Sequence, residues 1–318
     1  MVDEHAWAGG ALVKRKKRAN SAAALILSTL CAWGLPATEA AAESLEQSFE
    51  VAPDVSVDIE IVSGQIELRA IEASEVRVRA EGGIEAHGSR SQVSLRAPST
   101  GWLPWARGTD VDLVVEVPRK SHITARTVNG RIKAEDVEGE LRLHAANGQI
   151  EVKGAPQQAY LETLTSAIKF QGEHSEVVAR TLNGEIELSG VSREVEAASV
   201  SGRIRVEGDE IERAELRSMS GEIELDSSLA KGARVDAKSY SGQVRLRLPE
   251  NTSARFEVQS FSGGVHSEFV SQLTDDQSGY GPWSFGPGRR LSFVVGDGDA
   301  RISIESFSGG VRIERGAE

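Results

Sequence analysis

A short signature recurs ten times along this chain: a small polar residue, a glycine, any residue, then Ile or Val. The glycine slot holds Gly64, Gly130, Gly148, Ser166, Gly184, Gly202, Gly221, Gly242, Gly263 and Gly309. From Gly130 to Gly202 the step is 18 residues four times running, and it then widens to 19, 21 and 21. Such a period is too short for arrays of helix pairs. It fits one winding of a stacked β-structure in which each coil bonds only to its neighbours.

The columns of the repeat carry the argument further. Two residues past the slot every position is β-branched, from Ile66 through Ile132, Ile150 and Ile168 to Val311. Four past the slot, Leu68, Val152, Phe170, Leu188, Val206 and Leu225 keep a second apolar column. A spacing of two with β-branched residues describes a strand that buries one face. The Asn or Ser before the slot, as in Asn129-Gly130 and Ser201-Gly202, is turn chemistry, with glycine expected to supply a positive φ. Three residues before the slot lie Thr127, Thr163, Thr181, Ser199, Ser218, Ser239, Ser260 and Ser306. These predict an inward ladder of hydroxyls, each bonded to the next coil, because buried hydroxyls need partners.

An outward column checks the register. Lys133, Glu151, Lys169, Glu187, Arg205, Glu224 and Arg245 alternate in sign at every step. Neighbouring strands lie about 4.8 Å apart, where opposite charges attract and like charges repel. The alternation predicts that these seven residues are stacked neighbours.

The expected fold is therefore all-β: a single-stranded parallel β-solenoid, or β-helix, of about 11–12 coils, taken as right-handed, with 18–21 residues per coil. Residues 1–42 read as a secretory signal peptide. Lys14 to Arg18 form its positive region, Ala22 to Leu35 its apolar run, and Ala40-Ala41-Ala42 its cleavage site. Residues 43–318 form the β-solenoid domain, with irregular insertions at 82–108 and 271–288. The only cysteine, Cys31, falls in the apolar run, so the mature chain has no disulfide and no thiolate metal site. The whole chain carries a net charge of −12, and removal of the basic leader makes it more acidic. That balance argues against nucleic acid and against a polybasic membrane contact.

The strand ending Val117-Pro118, the runs Thr-Val-Asn-Gly-Arg-Ile at 127–132 and Ser-Val-Ser-Gly-Arg-Ile at 199–204, and the closing Ser-Phe-Ser-Gly-Gly-Val at 306–311 resemble the putative-adhesin β-solenoid family of bacterial envelope proteins. That family is a domain-of-unknown-function family. The resemblance covers about Val51 to Ile313. It implies a place at the cell envelope or surface and brings no catalytic residues.

Enzyme motifs are scarce. Gly-Asp-Gly-Asp at 296–299 occurs once, whereas calcium-binding β-rolls repeat such a motif on successive coils, so it reads as a turn. His87, His122, His144, His174 and His266 have no paired ligand spacing, and no G-x-S-x-G elbow exists. No cofactor and no metal are expected. Beyond the leader, tryptophan occurs only at Trp102, Trp105 and Trp283, and Tyr280 and Phe285 flank the last. Aromatics in loops stack on sugars or form partner hot spots, so these five are the candidate binding residues. The expected function is a non-enzymatic, exported, adhesin-like or structural module of the cell envelope. It would sit in the periplasm, at the cell surface or outside the cell, and bind an envelope protein or polysaccharide. The alternatives are a carbohydrate-active enzyme on a β-helix scaffold and an envelope scaffold that self-associates end to end.

Overall fold

The computed structural model describes residues 44–97, 110–173, 175–269 and 289–316. Every regular element in them is a strand, and 21 strands join in one connected sheet. Each repeat contributes two short strands on either side of its polar-Gly turn, for example Glu140–Ala145 and Ile150–Lys153. The following repeats lie on it in parallel with a constant shift of 18 residues. Leu141 pairs with Ala159 and Ala159 with Val177. Beyond the turn, Ile150 pairs with Ile168 and Ile168 with Ile186. We call each such strand–turn–strand layer a rung.

Stacking without slippage puts like on like. Ile66, Ile132, Ile150, Ile168, Ile186, Ile204 and Ile223 form one fully buried column, continued by Val244 and Val311. A second buried column runs on the strands before the turn, through Leu143, Leu161, Ala179, Ala197 and Leu216. Each apolar side chain removed from water in this way contributes about 1.5–3 kcal/mol.

The charged column behaves as its alternation predicts. Lys169 pairs with Glu187, Glu187 with Arg205, Arg205 with Glu224 and Glu224 with Arg245. The ammonium of Lys169 lies 3.3 Å from Glu187, and Arg245 lies 2.7 Å from Glu224. Glu67 extends the row beyond Lys133. The alternation fails once, where Arg245 faces Arg312. Glu314 lies 3.9 Å from Arg245, 3.7 Å from Arg312 and 3.3 Å from Arg247, and so separates the like charges.

That break marks a departure from stacking in chain order. The strand Ile223–Ser239 has the last rung, Ala300–Ser306, as its neighbour. The earlier strand Ala254–Ser260 lies outside it. The antiparallel strand Arg289–Val295 then closes the outer side of Ala254–Ser260. The chain thus skips a level after Pro249 and fills it with its C-terminus. The opposite end does likewise. Ser56–Ile71 lies between His122–Glu135 on one side and Gln92–Arg96 with Val111–Pro118 on the other. Glu75–Glu81 and Ser44–Glu50 add antiparallel strands beyond. The stretch from 82 is also less irregular than its sequence suggests. Val93 and Leu95 are buried in the strand Gln92–Arg96, which Glu85–Gly88 flanks antiparallel. Residues 98–109, all of 271–288 and the leader 1–42 lie outside the described residues.

Two features of the turns differ from expectation. Among the slot glycines only Gly64 has a positive φ. The others are required for close approach: a Cβ on Gly202 would overlap the carbonyl oxygen of Gly184 in the rung below. The hydroxyl column is buried as predicted, but it does not form a ladder bonded from coil to coil. Ser239, Ser260 and Ser306 donate to the carbonyls of Gly242, Gly263 and Gly309 at 3.0–3.2 Å. Thr163 alone reaches the preceding rung, at Gly148 O. The hydroxyls of Thr127, Thr181, Ser199 and Ser218 are buried with no hydrogen-bond partner. The Gly-Asp-Gly-Asp segment is a turn whose Asp297 and Gly298 N–H groups donate to Ser253 Oγ at 3.0 and 3.1 Å.

Two outcomes follow. Gly202→Ala is expected to cost on the order of 3 kcal/mol, read as a lowered Tm, whereas Gly264→Ala, in open space, changes stability by less than about 0.5 kcal/mol. Truncation after Asp299 removes the rung between Ser239 and Ser260. Amide exchange in Ala254–Ser260 should then rise to that of a frayed segment while Glu176–Thr181 keeps its protection.

Candidate functional site

The residue two before each slot is apolar in all ten repeats, and it faces solvent. Val62, Val128, Leu164, Leu182, Val200 and Met219 are 41–57% exposed, as are Tyr240, Phe307 and Phe261. Ala146 holds the remaining position. The backbone forces this exposure. The N–H of most stripe residues donates to the neighbouring rung, as that of Leu164 does to Ala146 O at 3.2 Å. Its carbonyl accepts from the rung above, as Leu164 O does from Asn183 N at 2.8 Å and Leu182 O from Ser201 N at 2.7 Å. With both amide groups committed along the stack and the hydroxyl neighbour turned inward, the apolar side chain points out. Ten rungs at about 4.8 Å give a straight stripe roughly 43 Å long.

Beside the stripe runs a shallow groove of about 840 Å³ spanning the rungs of Leu164 to Phe261. Its floor is the hydroxyl column, including Thr163, Ser199 and Ser239. The far wall carries Glu162, Arg180, Ala198, Arg217, Lys238 and Glu305. These charges are already paired. Arg180 Nη2 donates to Glu196 Oε1 at 2.7 Å, and this hydrogen bond with the carboxylate charge raises the pKa of the guanidinium. Lys238 lies 3.1 Å from Glu305, and Arg217 pairs with Glu215. The wall is therefore cationic in its centre and acidic at both ends.

At one end the stripe becomes aromatic. The rings of Tyr240 and Phe307 stack at 4.8 Å and 4°, and those of Phe307 and Phe261 at 4.6 Å and 9°. Stacking along the ladder covers ring faces and leaves ring edges outward. A sugar ring binds an aromatic face, so the Phe307 ring offers none. Edges and methyl groups suit an apolar partner surface instead.

The five aromatic residues singled out in the sequence, Trp102, Trp105, Tyr280, Trp283 and Phe285, lie outside the described residues. The stripe itself was legible: its column is apolar at every repeat. Apolar residues in a turn, adjacent to the buried strand columns, read as core until the backbone bonds that turn them outward are known. Among the described residues no group of three or more His, Cys, Asp or Glu could hold a metal. His122 and His144 lie 3.7 and 3.1 Å from Glu140 and Glu162 on the surface. No helix among the described residues is long and apolar enough to cross a membrane.

The Toastrack DUF4097 family model matches residues 54–314, the span that holds every rung. The chain belongs to that family. This agrees with the resemblance to a domain-of-unknown-function family. No curated protein matches the chain. Among solved structures, the "putative adhesin" of Bacteroides fragilis is similar over 85% of this chain and 97% of its own, at 10% identity and a TM-score of 0.40. A "putative lipid binding protein" of Parabacteroides distasonis covers 86% and 97%, at 9% identity and a TM-score of 0.44. A "putative cell adhesion protein" of Clostridium sporogenes covers 86% and 100%, at 10% identity and a TM-score of 0.23.

Met219, 57% exposed in mid-stripe, is the sole methionine besides Met1. In solution dilute enough to keep the chain single, mild peroxide should convert it fully to the sulfoxide with no loss of strand signal in circular dichroism, as peptide mass spectrometry would report. A Met219 that resists oxidation would mean that the stripe is covered.

Proposed function

We propose that this chain is a non-enzymatic, adhesin-like binding module of the cell envelope, and that the apolar stripe is its contact edge. The observation that supports this reading most is the stripe's size. Its nine large side chains leave on the order of 900 Å² of apolar surface in one line, whereas monomeric proteins rarely expose more than a few hundred Å² together. The chain places this surface at turns, where it adds nothing to the core.

In this reading residues 1–42 export the chain, and residues 43–318 form a single-stranded solenoid of about 11–12 coils, right-handed, whose rigidity presents the edge. Trp102, Trp105, Tyr280, Trp283 and Phe285 supply further contacts from the two insertions.

The test is adsorption of the purified, labelled chain to intact cells of the source organism. Leu182→Glu with Met219→Glu should reduce adsorption about tenfold or more while the melting temperature stays unchanged, since a charge cannot be desolvated in an apolar contact. Adsorption that survives both substitutions would overturn the reading.

A further inference from the structure

The order of side-chain sizes along the stripe identifies an occupant. In spatial order the rungs carry Val62, Val128, Ala146, Leu164 and Leu182, then Val200, Met219, Tyr240, Phe307 and Phe261. One end is small and the other bulky. We propose that the stripe is the seat of a second copy of this chain, packed antiparallel about a two-fold axis between Leu182 and Val200. The proposal rests on the stripe being the contact edge and names its partner.

Two-fold antiparallel packing sets each rung against its counterpart from the other end. Ala146 then faces Tyr240, Val128 faces Phe307 and Val62 faces Phe261, a small residue against a ring each time. At the centre Leu164 faces Met219 and Leu182 faces Val200. Summed bulk is thus kept nearly constant along the interface, as close packing requires. In a two-fold contact the same patch must complement itself, and this gradient does so.

The flanking charges agree with that registration. The groove wall of one copy faces the wall of the other, with its rungs reversed. Glu162 comes opposite Arg217, and Arg126 opposite Glu305. Arg180 meets the small, uncharged Ala198, which leaves room for its ion pair with Glu196. His144 comes opposite Lys238, whose charge Glu305 already pairs within each copy.

Spacing and area point the same way. The stripe's teeth repeat every rung, about 4.8 Å, and another β-stack is the partner that repeats at that pitch. The stripe exposes on the order of 900 Å², against about 800 Å² per partner in a standard interface. A single acyl chain would cover only part of such a length. Sugar rings find both faces of Phe307 already covered.

Sedimentation of the full chain over a concentration series tests the proposal. A reversible dimer is expected, and Leu182→Glu should weaken it at least a hundredfold with unchanged circular dichroism. Register is tested separately in the full chain carrying Cys31→Ser, Ala146→Cys and Tyr240→Cys. The two new thiols are five rungs, about 24 Å, apart within one chain and cannot bridge, because a disulfide needs Cα atoms within about 7 Å. Facing β-stacks pack about 10 Å apart, too far for a direct disulfide but within reach of a short bis-maleimide, which should therefore give a covalent dimer in high yield. Replacing Tyr240→Cys by Leu164→Cys, one rung from position 146, should give no covalent dimer. A monomer at about 100 μM, well above the μM Kd of a weak standard interface, would overturn the proposal. So would a monomer that binds neutral phosphatidylcholine vesicles through the stripe, or cross-linking that ignores the position of the thiols. These results leave the contact-edge reading intact where adsorption to cells still depends on Leu182. A dimer whose disruption leaves adsorption unchanged sinks that reading and keeps the second copy.

Discussion

Everything in this molecule depends on the backbone hydrogen bond from one rung to the next, repeated at about 4.8 Å through strands and turns alike. Because the turns join the ladder too, as Ser201 N to Leu182 O and Ser241 N to Met219 O show, no part of a rung can rotate on its own. This commits each sequence column to one environment. Isoleucines stack in the core, hydroxyls turn in beside the glycines, and charges alternate outside. The glycine slot follows from the same bond. At that bend the backbones lie so close that a Cβ would overlap the carbonyl below.

The ladder creates a problem at its ends, where unpaired strands offer a template for more chain. Both ends meet it by leaving chain order. The C-terminal rung is set between two earlier ones, and an antiparallel strand closes the outside. The N-terminal strand pair does the same at the other end. One electrostatic consequence is visible in the alternating row. Its rule holds wherever consecutive repeats are neighbours and fails at Arg245 and Arg312, which are neighbours only because the last rung was inserted. Glu314 between three arginines relieves that contact.

The apolar edge is a by-product of the ladder that the sequence has kept apolar. Turn residues facing solvent could be polar at no cost to the core, as the adjacent Asn and Ser column demonstrates. Their uniform apolarity, graded from alanine and valine to three stacked rings, is what a packing partner would require. The acidic balance of the chain and the paired charges of the groove wall leave shape as the selective property of this edge.

Much of the fold was legible in the sequence. The 18-residue period, the β-branched column and the alternation from Lys133 to Arg245 each imply parallel stacking, because only adjacent strands make such columns physically coupled. The candidate site was only half legible. The column from Val62 to Phe307 is plain in the repeat, yet an apolar turn residue does not declare whether it faces core or solvent. Loop aromatics such as Trp102 and Trp283 drew attention instead, by residue type alone. By itself the sequence determined what stacks on what within a run of equal repeats, since that is a local, nearest-neighbour matter. Tertiary structure alone decided which rung lies between Ser239 and Ser260, which way the stripe faces, and that its two halves are complementary in size. Those facts depend on pairings between residues 46 to 67 positions apart, which no short-range pattern encodes.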